Sequence, residues 1–224
     1  MNQKKLKILA ISIAILVISL SLTVAFSQNL RSKSNDDKLA LVACLGDSLT
    51  NMTDYPADLQ ALLSQNSTVR NFGMDGATVN FVSNRTYYFS EEYLAARSFL
   101  PTTVIIMLGT NDARTNIYPE IERFVSDYEH MISRIQNFSS KPQIFLVVPP
   151  PIYSNTMNLN GTDLVQGVIP RIKQIADTMH LPLIDAYTPM LNHPDYFTDG
   201  VHPNSKGAQV IANTIYNAIT TKSS

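Results

Sequence analysis

Four short polar blocks carry the residue types needed to break an ester. Ser48 stands in Gly46-Asp47-Ser48-Leu49, Gly73 in Asn71-Phe72-Gly73-Met74-Asp75-Gly76, and Asn111 in Gly109-Thr110-Asn111-Asp112. Near the C-terminal end, Asp199 and His202 share Asp199-Gly200-Val201-His202-Pro203-Asn204. Ester hydrolysis needs an activated nucleophile, a base, and donors placed where negative charge develops on the carbonyl oxygen. The Ser48 hydroxyl meets the first need. Imidazole titrates near neutral pH, so His202 can take the serine proton and return it to the leaving alcohol. Asp199, three residues earlier, can reach the other ring nitrogen, fix its tautomer and stabilise the imidazolium. For the oxyanion, the candidate donors are the backbone N–H of Ser48, the backbone N–H of Gly73 and the side-chain amide of Asn111.

Singly, each residue has an ordinary structural use: serine and asparagine cap helices, glycine serves turns, and a histidine before proline can sit idle in a loop. It is their combination at strand ends that points to chemistry. Asp47 and Asp112 read as loop holders or caps. His193, Asp195, Asp199 and His202 offer an alternative metal site, but one that leaves Ser48, Gly73 and Asn111 unused. A G-x-S-x-G nucleophile elbow is absent, which argues against the α/β-hydrolase family as the source of the serine.

The elements that would position these blocks are legible as an alternation. Short apolar runs at Ala40 to Leu45, Thr68 to Phe72, Thr103 to Leu108, Gln143 to Val148 and Leu183 to Asp185 predict strands. Segments at helical spacing separate them, predicting a parallel sheet covered on both faces: a three-layer α/β/α domain with five strands. Ile121, Phe124, Tyr128, Met131, Ile132 and Ile135 share one face of a helix predicted over Pro119 to Asn137. A second helix carries Val165 to Met179, with Thr162 or Asp163 as cap and Pro170 as a kink or late start. Asp54 to Leu63 predicts a shorter helix, and Ala208, Ile211, Ile215 and Ile219 mark the last. The mixed stretch Thr78 to Leu100 is expected to shape a substrate cleft. In an open parallel sheet, ligands bind beyond the carboxyl ends of strands, where three of the four blocks fall.

The four blocks in this order resemble the SGNH (GDSL) hydrolase family, over a match running from Leu41 to the final helix. The resemblance implies a flavodoxin-like strand order, 2-1-3-4-5, a Ser48–Asp199–His202 triad and no cofactor. The segment from His193 to Ala208 is most similar to members acting on acetylated carbohydrates. The expected partner is therefore a small-molecule or carbohydrate ester, with lysophospholipase or thioesterase action as the alternative. A non-catalytic carbohydrate-binding module using Tyr87, Tyr88 and Phe89 as a platform is a further alternative. Many relatives carry a glycine soon after the GDSL block; here Leu49-Thr50-Asn51-Met52 follows, which puts the groove beside Ser48 in question.

Composition narrows the setting. The 224 residues are 45% hydrophobic, enough for one core, and 17 basic against 18 acidic residues give no cationic stripe for nucleic acid. Cys44, the single cysteine, excludes an intramolecular disulfide. Lys4, Lys5 and Lys7 precede an apolar run from Ile8 to Phe26, which predicts a signal peptide or signal anchor over residues 1–27. A polar linker follows over residues 28–38, and the esterase domain is expected over 39–224. Such a leader would place the domain outside the cytoplasm, secreted or held to the membrane by the N-terminal segment alone. Sequons at Asn51, Asn66, Asn84, Asn137 and Asn160 fit a glycosylated, secreted product.

Overall fold

The computed structural model describes residues 40–63 and 67–221. The leader, the linker, Leu39 and the sequon at Asn66 lie outside the described residues. Five strands form one parallel sheet: β1 (Ala40–Gly46), β2 (Ser67–Gly73), β3 (Thr103–Met107), β4 (Gln143–Val148) and β5 (Leu183–Asp185). Their order is β2-β1-β3-β4-β5, the doubly wound arrangement expected. In register, Cys44 lies between Asn71 and Ile105, and Ile105 is paired with Phe145.

Alternation along each strand divides the core in two. Ala43, Leu45, Val104, Ile106, Ile144 and Leu146 face α3 (Glu91–Ser98), α4 (Phe124–Gln136) and α5 (Ile169–Thr178). Val42, Cys44, Ile105, Met107, Phe145 and Val147 face α2 (Tyr55–Leu63) and α6 (Ser205–Thr220), which pack on each other. Because both faces are covered, the inner strands β1, β3 and β4 read as nearly unbroken apolar runs, whereas the edge strand β2 carries the exposed Arg70 and Asn71.

The helix limits differ in two places. The helix expected from Pro119 begins as a 3-10 segment, Tyr118–Arg123, and turns α-helical only at Phe124. Glu120 leaves helical geometry (φ −93°, ψ 15°), and its carbonyl accepts from the Asn80 side chain at 3.1 Å instead of serving the next turn. The second helix is capped by Asn160, whose Oδ1 accepts from the N–H of Thr162 and Asp163. It passes through a π turn at Leu164–Val168 before α5. Pro170 is the second residue of α5, directly after the π turn, so its missing N–H falls where the regular i→i−4 pattern is already interrupted.

The stretch expected to line a cleft mostly packs on itself. Tyr87 is fully buried and donates its hydroxyl to the Phe72 carbonyl at 2.6 Å, so it cannot serve as a platform. Tyr88, Phe89, Tyr93 and Phe138 instead border a hollow of about 410 Å³ that shares no lining residue with the pocket of Ser48. Among the described residues no helix is long and apolar enough to cross a membrane.

Candidate active site

Ser48 follows the last residue of β1 by two positions and opens α1 (Ser48–Asn51), a single turn. Asp47 caps that turn in extended geometry (φ −95°, ψ −150°). Its Oδ1 accepts from the Leu49 N–H at 2.9 Å and its carbonyl from Thr50 and Asn51. The chain thus reverses tightly and leaves the serine hydroxyl clear of the sheet. The Ser48 Oγ lies 2.9 Å from His202 Nε2, and His202 Nδ1 lies 2.7 Å from Asp199 Oδ2.

Asp199 does more than face the imidazole. Its Oδ1 accepts from the backbone N–H of Val201 (3.0 Å) and of His202 (2.8 Å). The loop is closed behind them by Thr198, whose N–H and hydroxyl both donate to the His202 carbonyl. Burial alone would raise the Asp199 carboxyl. The His202 N–H, the imidazole and the Val201 N–H together outweigh it and hold the group below the ordinary carboxylate range. An ionised Asp199 accepts a hydrogen bond from Nδ1–H, the tautomer that leaves the Nε2 lone pair facing the Ser48 hydroxyl. Asp195 takes a different neighbour, its carboxylate lying 3.6 Å from His193, whose ring stacks on Tyr196. Among the described residues no three metal-ligating side chains converge, so the alternative metal quartet is split into two pairs.

Asn111 opens the short 3-10 segment Asn111–Ala113 after β3. Arg114 donates to its Oδ1 at 3.1 Å, and its Nδ2 donates to the Ala77 carbonyl at 3.1 Å. The guanidinium fixes which end of the amide carries the nitrogen, and one amide proton stays available.

Gly73 is in the wrong place for an oxyanion donor. It ends β2, its N–H donates to Asn71 Oδ1 at 2.8 Å, and it does not border the pocket of Ser48. The glycine that does border it is Gly76, with φ +70°. Ala77 N–H donates to the Met74 carbonyl across this turn, so Gly76 occupies the third position of a type II turn, the one that requires positive φ. Among the described residues neither the Gly76 N–H nor the Ser48 N–H has a hydrogen-bond partner. The signal was in the sequence: Met-Asp-Gly-Ala places glycine where a type II turn wants it.

Two buried carboxylates lie beneath the site. Asp112 accepts from the N–H of Val79 and Asn80, both at 3.0 Å, and pins the segment that follows the Gly76 turn. Burial pushes its carboxyl up to about 6, against the pull of those two N–H groups. Burial pushes Asp47 further, to about 7.

The pocket over Ser48 is small, about 190 Å³, with Met52, Met157, Leu159 and Val201 as its apolar side. Met157 and Leu159 come from the segment after β4, where Asn155 binds the backbone of Tyr153, Met157 and Leu159. That segment touches both halves of the site. Asn160 N–H donates to the Ala113 carbonyl, and Tyr153 N–H donates to the Gly200 carbonyl.

Comparison with known proteins places the chain among acylhydrolases. The chain is 30% identical to an acetylxylan esterase from Xylanibacter ruminicola over 80% of its own length, and spans 42% of that relative. Among solved structures it is similar to a carbohydrate acetylesterase from Sinorhizobium meliloti (TM-score 0.64, 19% identity, 80% of this chain and 98% of that one). It is also similar to a catalytic mutant of an acetylxylan esterase from Geobacillus stearothermophilus (TM-score 0.64, 21% identity, 82% and 95%). At these identities the two structures speak for the fold. Residues 44–210 match the sequence profile of the GDSL-like Lipase/Acylhydrolase family, and on that match, which takes in the Ser48, Asn111 and His202 blocks, the chain belongs to this family.

Proposed function

We propose that this chain is a serine esterase working through an acyl-Ser48 intermediate on short acyl esters, such as O-acetyl groups on carbohydrate. The observation that carries the reading is the Asp199–His202–Ser48 relay, 2.7 and 2.9 Å long, beside two unengaged backbone N–H groups. In the first step Ser48 Oγ attacks the ester carbonyl carbon while His202 Nε2 accepts its proton. The oxyanion takes hydrogen bonds from Ser48 N–H, Gly76 N–H and Asn111 Nδ2. The tetrahedral species collapses as His202 gives its proton to the leaving alcohol. Water then enters by the same route, His202 again moving the proton, and the carboxylic acid leaves to restore Ser48.

The small pocket favours a short acyl group over a lipid chain. The likeness to an acetylxylan esterase and a carbohydrate acetylesterase supports acetyl and sugar for the two sides of the ester. The apolar run from Ile8 to Phe26 supports export, with the domain acting outside the cytoplasm.

The test is hydrolysis of p-nitrophenyl acetate, butyrate and octanoate by the full chain and its variants. Acetate is expected to be the best of the three. Ser48→Ala and His202→Ala are expected to lose several orders of magnitude in kcat, and Asn111→Ala about 10²–10³. Preference for octanoate would move the reading to a lipid hydrolase. A folded wild type no faster than Ser48→Ala would leave a binding module.

A further inference from the structure

A second groove, of about 350 Å³, opens from the pocket of Ser48 and shares Asp75, Gly76 and Arg114 with it. Its remaining lining is Ser83, Asn84, Arg85, Asn116 and Ile117, so most of the side chains facing it carry hydrogen-bonding groups. With the small Ser48 pocket taking the acyl group, as proposed, this adjoining groove is left for the alcohol portion of the ester.

Its two arginines are held in a telling way. Arg85 donates NH1 to the Asp75 carbonyl at 2.7 Å, and its Cδ, Nε and Cζ lie 3.0, 3.5 and 3.8 Å from where a Cβ on Gly76 would stand. Arg114, half-buried, donates to the Met157 carbonyl (2.7 Å) and to Asn111 Oδ1 (3.1 Å). Every one of these acceptors is a neutral amide oxygen. They orient the guanidinium groups without cancelling their charge, and of the five N–H donors on each, most remain unspent. Among the described residues, the arginine ion pairs are Arg123 with Asp127 and Arg171 with Glu122. Asp75 is the one carboxylate lining the groove, and its Oδ1 already accepts from Asn51 Nδ2 at 2.9 Å. Two cations against one anion leave the groove positive in a chain whose formal net charge is −1.

We infer that this groove is a subsite for an anionic group on the alcohol side of the ester, and that the preferred substrate is an acylated sugar bearing a carboxylate. A guanidinium fork matches the planar carboxylate in spacing and charge. The surrounding asparagine and serine side chains suit ring hydroxyls. This inference rests on Ser48 being the nucleophile for its catalytic part, but the binding part stands apart from turnover.

The experiment uses three acetyl esters of one ring: methyl 3-O-acetylglucoside, the corresponding glucuronoside and the corresponding 6-phosphate. The wild-type full chain is expected to hydrolyse the glucuronoside with kcat/KM about tenfold above the neutral glucoside, the size of one half-exposed charge-assisted contact. Arg85→Gln brings that ratio to near one, and Arg85→Lys keeps part of it. Equal handling of the neutral and anionic esters by wild type overturns the inference. So does a preference that survives in folded Arg85→Gln, and a preference for the phosphate over the uronate overturns the carboxylate assignment. Calorimetric titration of Ser48→Ala with methyl glucuronoside gives the separate readout. Binding that methyl glucoside does not show, and that Arg85→Gln abolishes, supports the subsite even in a chain that turns over no ester.

Discussion

Asp47 shares a peptide bond with the proposed nucleophile, yet its carboxyl never meets solvent, and its Oδ2 has no hydrogen-bond partner. Burial raises it from an ordinary value of 3.8 to about 7, with the Leu49 N–H pulling the other way. The folded chain therefore holds this proton more tightly than the unfolded chain does. By linkage, Asp47 favours the fold below about pH 4, and that contribution is lost as pH rises through about 7. Asn in its place keeps an acceptor for Leu49 and carries no charge. Asp47→Asn is thus expected to match wild type in melting temperature near pH 4.5 and to exceed it by ~3 °C or more at pH 8. A melting-temperature difference that is flat with pH, measured by circular dichroism, would refute this. The same scale explains what the sequence concealed about the oxyanion donors. Gly73 ends β2 and Gly76 comes three residues later, and in sequence both look like strand-end glycines. What separates them is the Asn71 side chain folding back on the Gly73 N–H, a contact made possible because Asn71 Nδ2 is also anchored on the Thr50 carbonyl at 2.7 Å. No spacing rule contains that pairing, whereas Ser48 and Asn111 are legible from their places just after apolar runs, and Asp199 and His202 from their three-residue spacing ahead of the last helix.

Among the elements, the inner strands were legible because burial on both faces leaves an apolar run with polar ends. The stretch from Thr78 to Leu100 was not, because distant carboxylates shape it: Asp112 takes the N–H of Val79 and Asn80, and Asp127 takes that of Phe81 at 2.9 Å. Local pattern carries no record of such partners. The element on which the site leans hardest is the segment after β4. It meets the Asp199 loop at Gly200, which has φ +83° and whose Cβ, were there one, would overlap the Ser154 carbonyl oxygen. Gly200→Ala combines an unfavourable dihedral with that overlap, so the loop must move, and Asp199 and His202 move with it. The expected result is a kcat for p-nitrophenyl acetate lowered ~10-fold or more, with far-ultraviolet circular dichroism unchanged. Wild-type kcat in Gly200→Ala would mean that the loop finds its position without this contact.

Over the whole domain, Cys44 offers a probe of how far the sheet opens. It sits on β1 between β2 and β3, fully buried, and burial pushes its thiol up to about 12. A thiol so placed reacts only when the sheet parts. Ellman's reagent is expected to leave the native protein unmodified over minutes and to titrate one thiol per chain in guanidinium chloride. Rapid native labelling would reveal opening between β1 and its neighbours well short of global unfolding.

The two links of the relay differ greatly in reach: Asp199 and His202 are 3 residues apart, whereas His202 and Ser48 are 154 apart. Acid and base thus form a local cassette, tied by backbone as well as by side chain, which a short stretch of chain can assemble for itself. The nucleophile must be brought to it by nearly the full length of the sheet, the costlier closure in chain entropy. On the proposed triad, hydrolysis therefore depends on a contact between the first strand and the last loop, not on the local pair alone. In the proposed mechanism, a chain in which the first strand and the last loop have not met holds its histidine without the hydroxyl it would deprotonate.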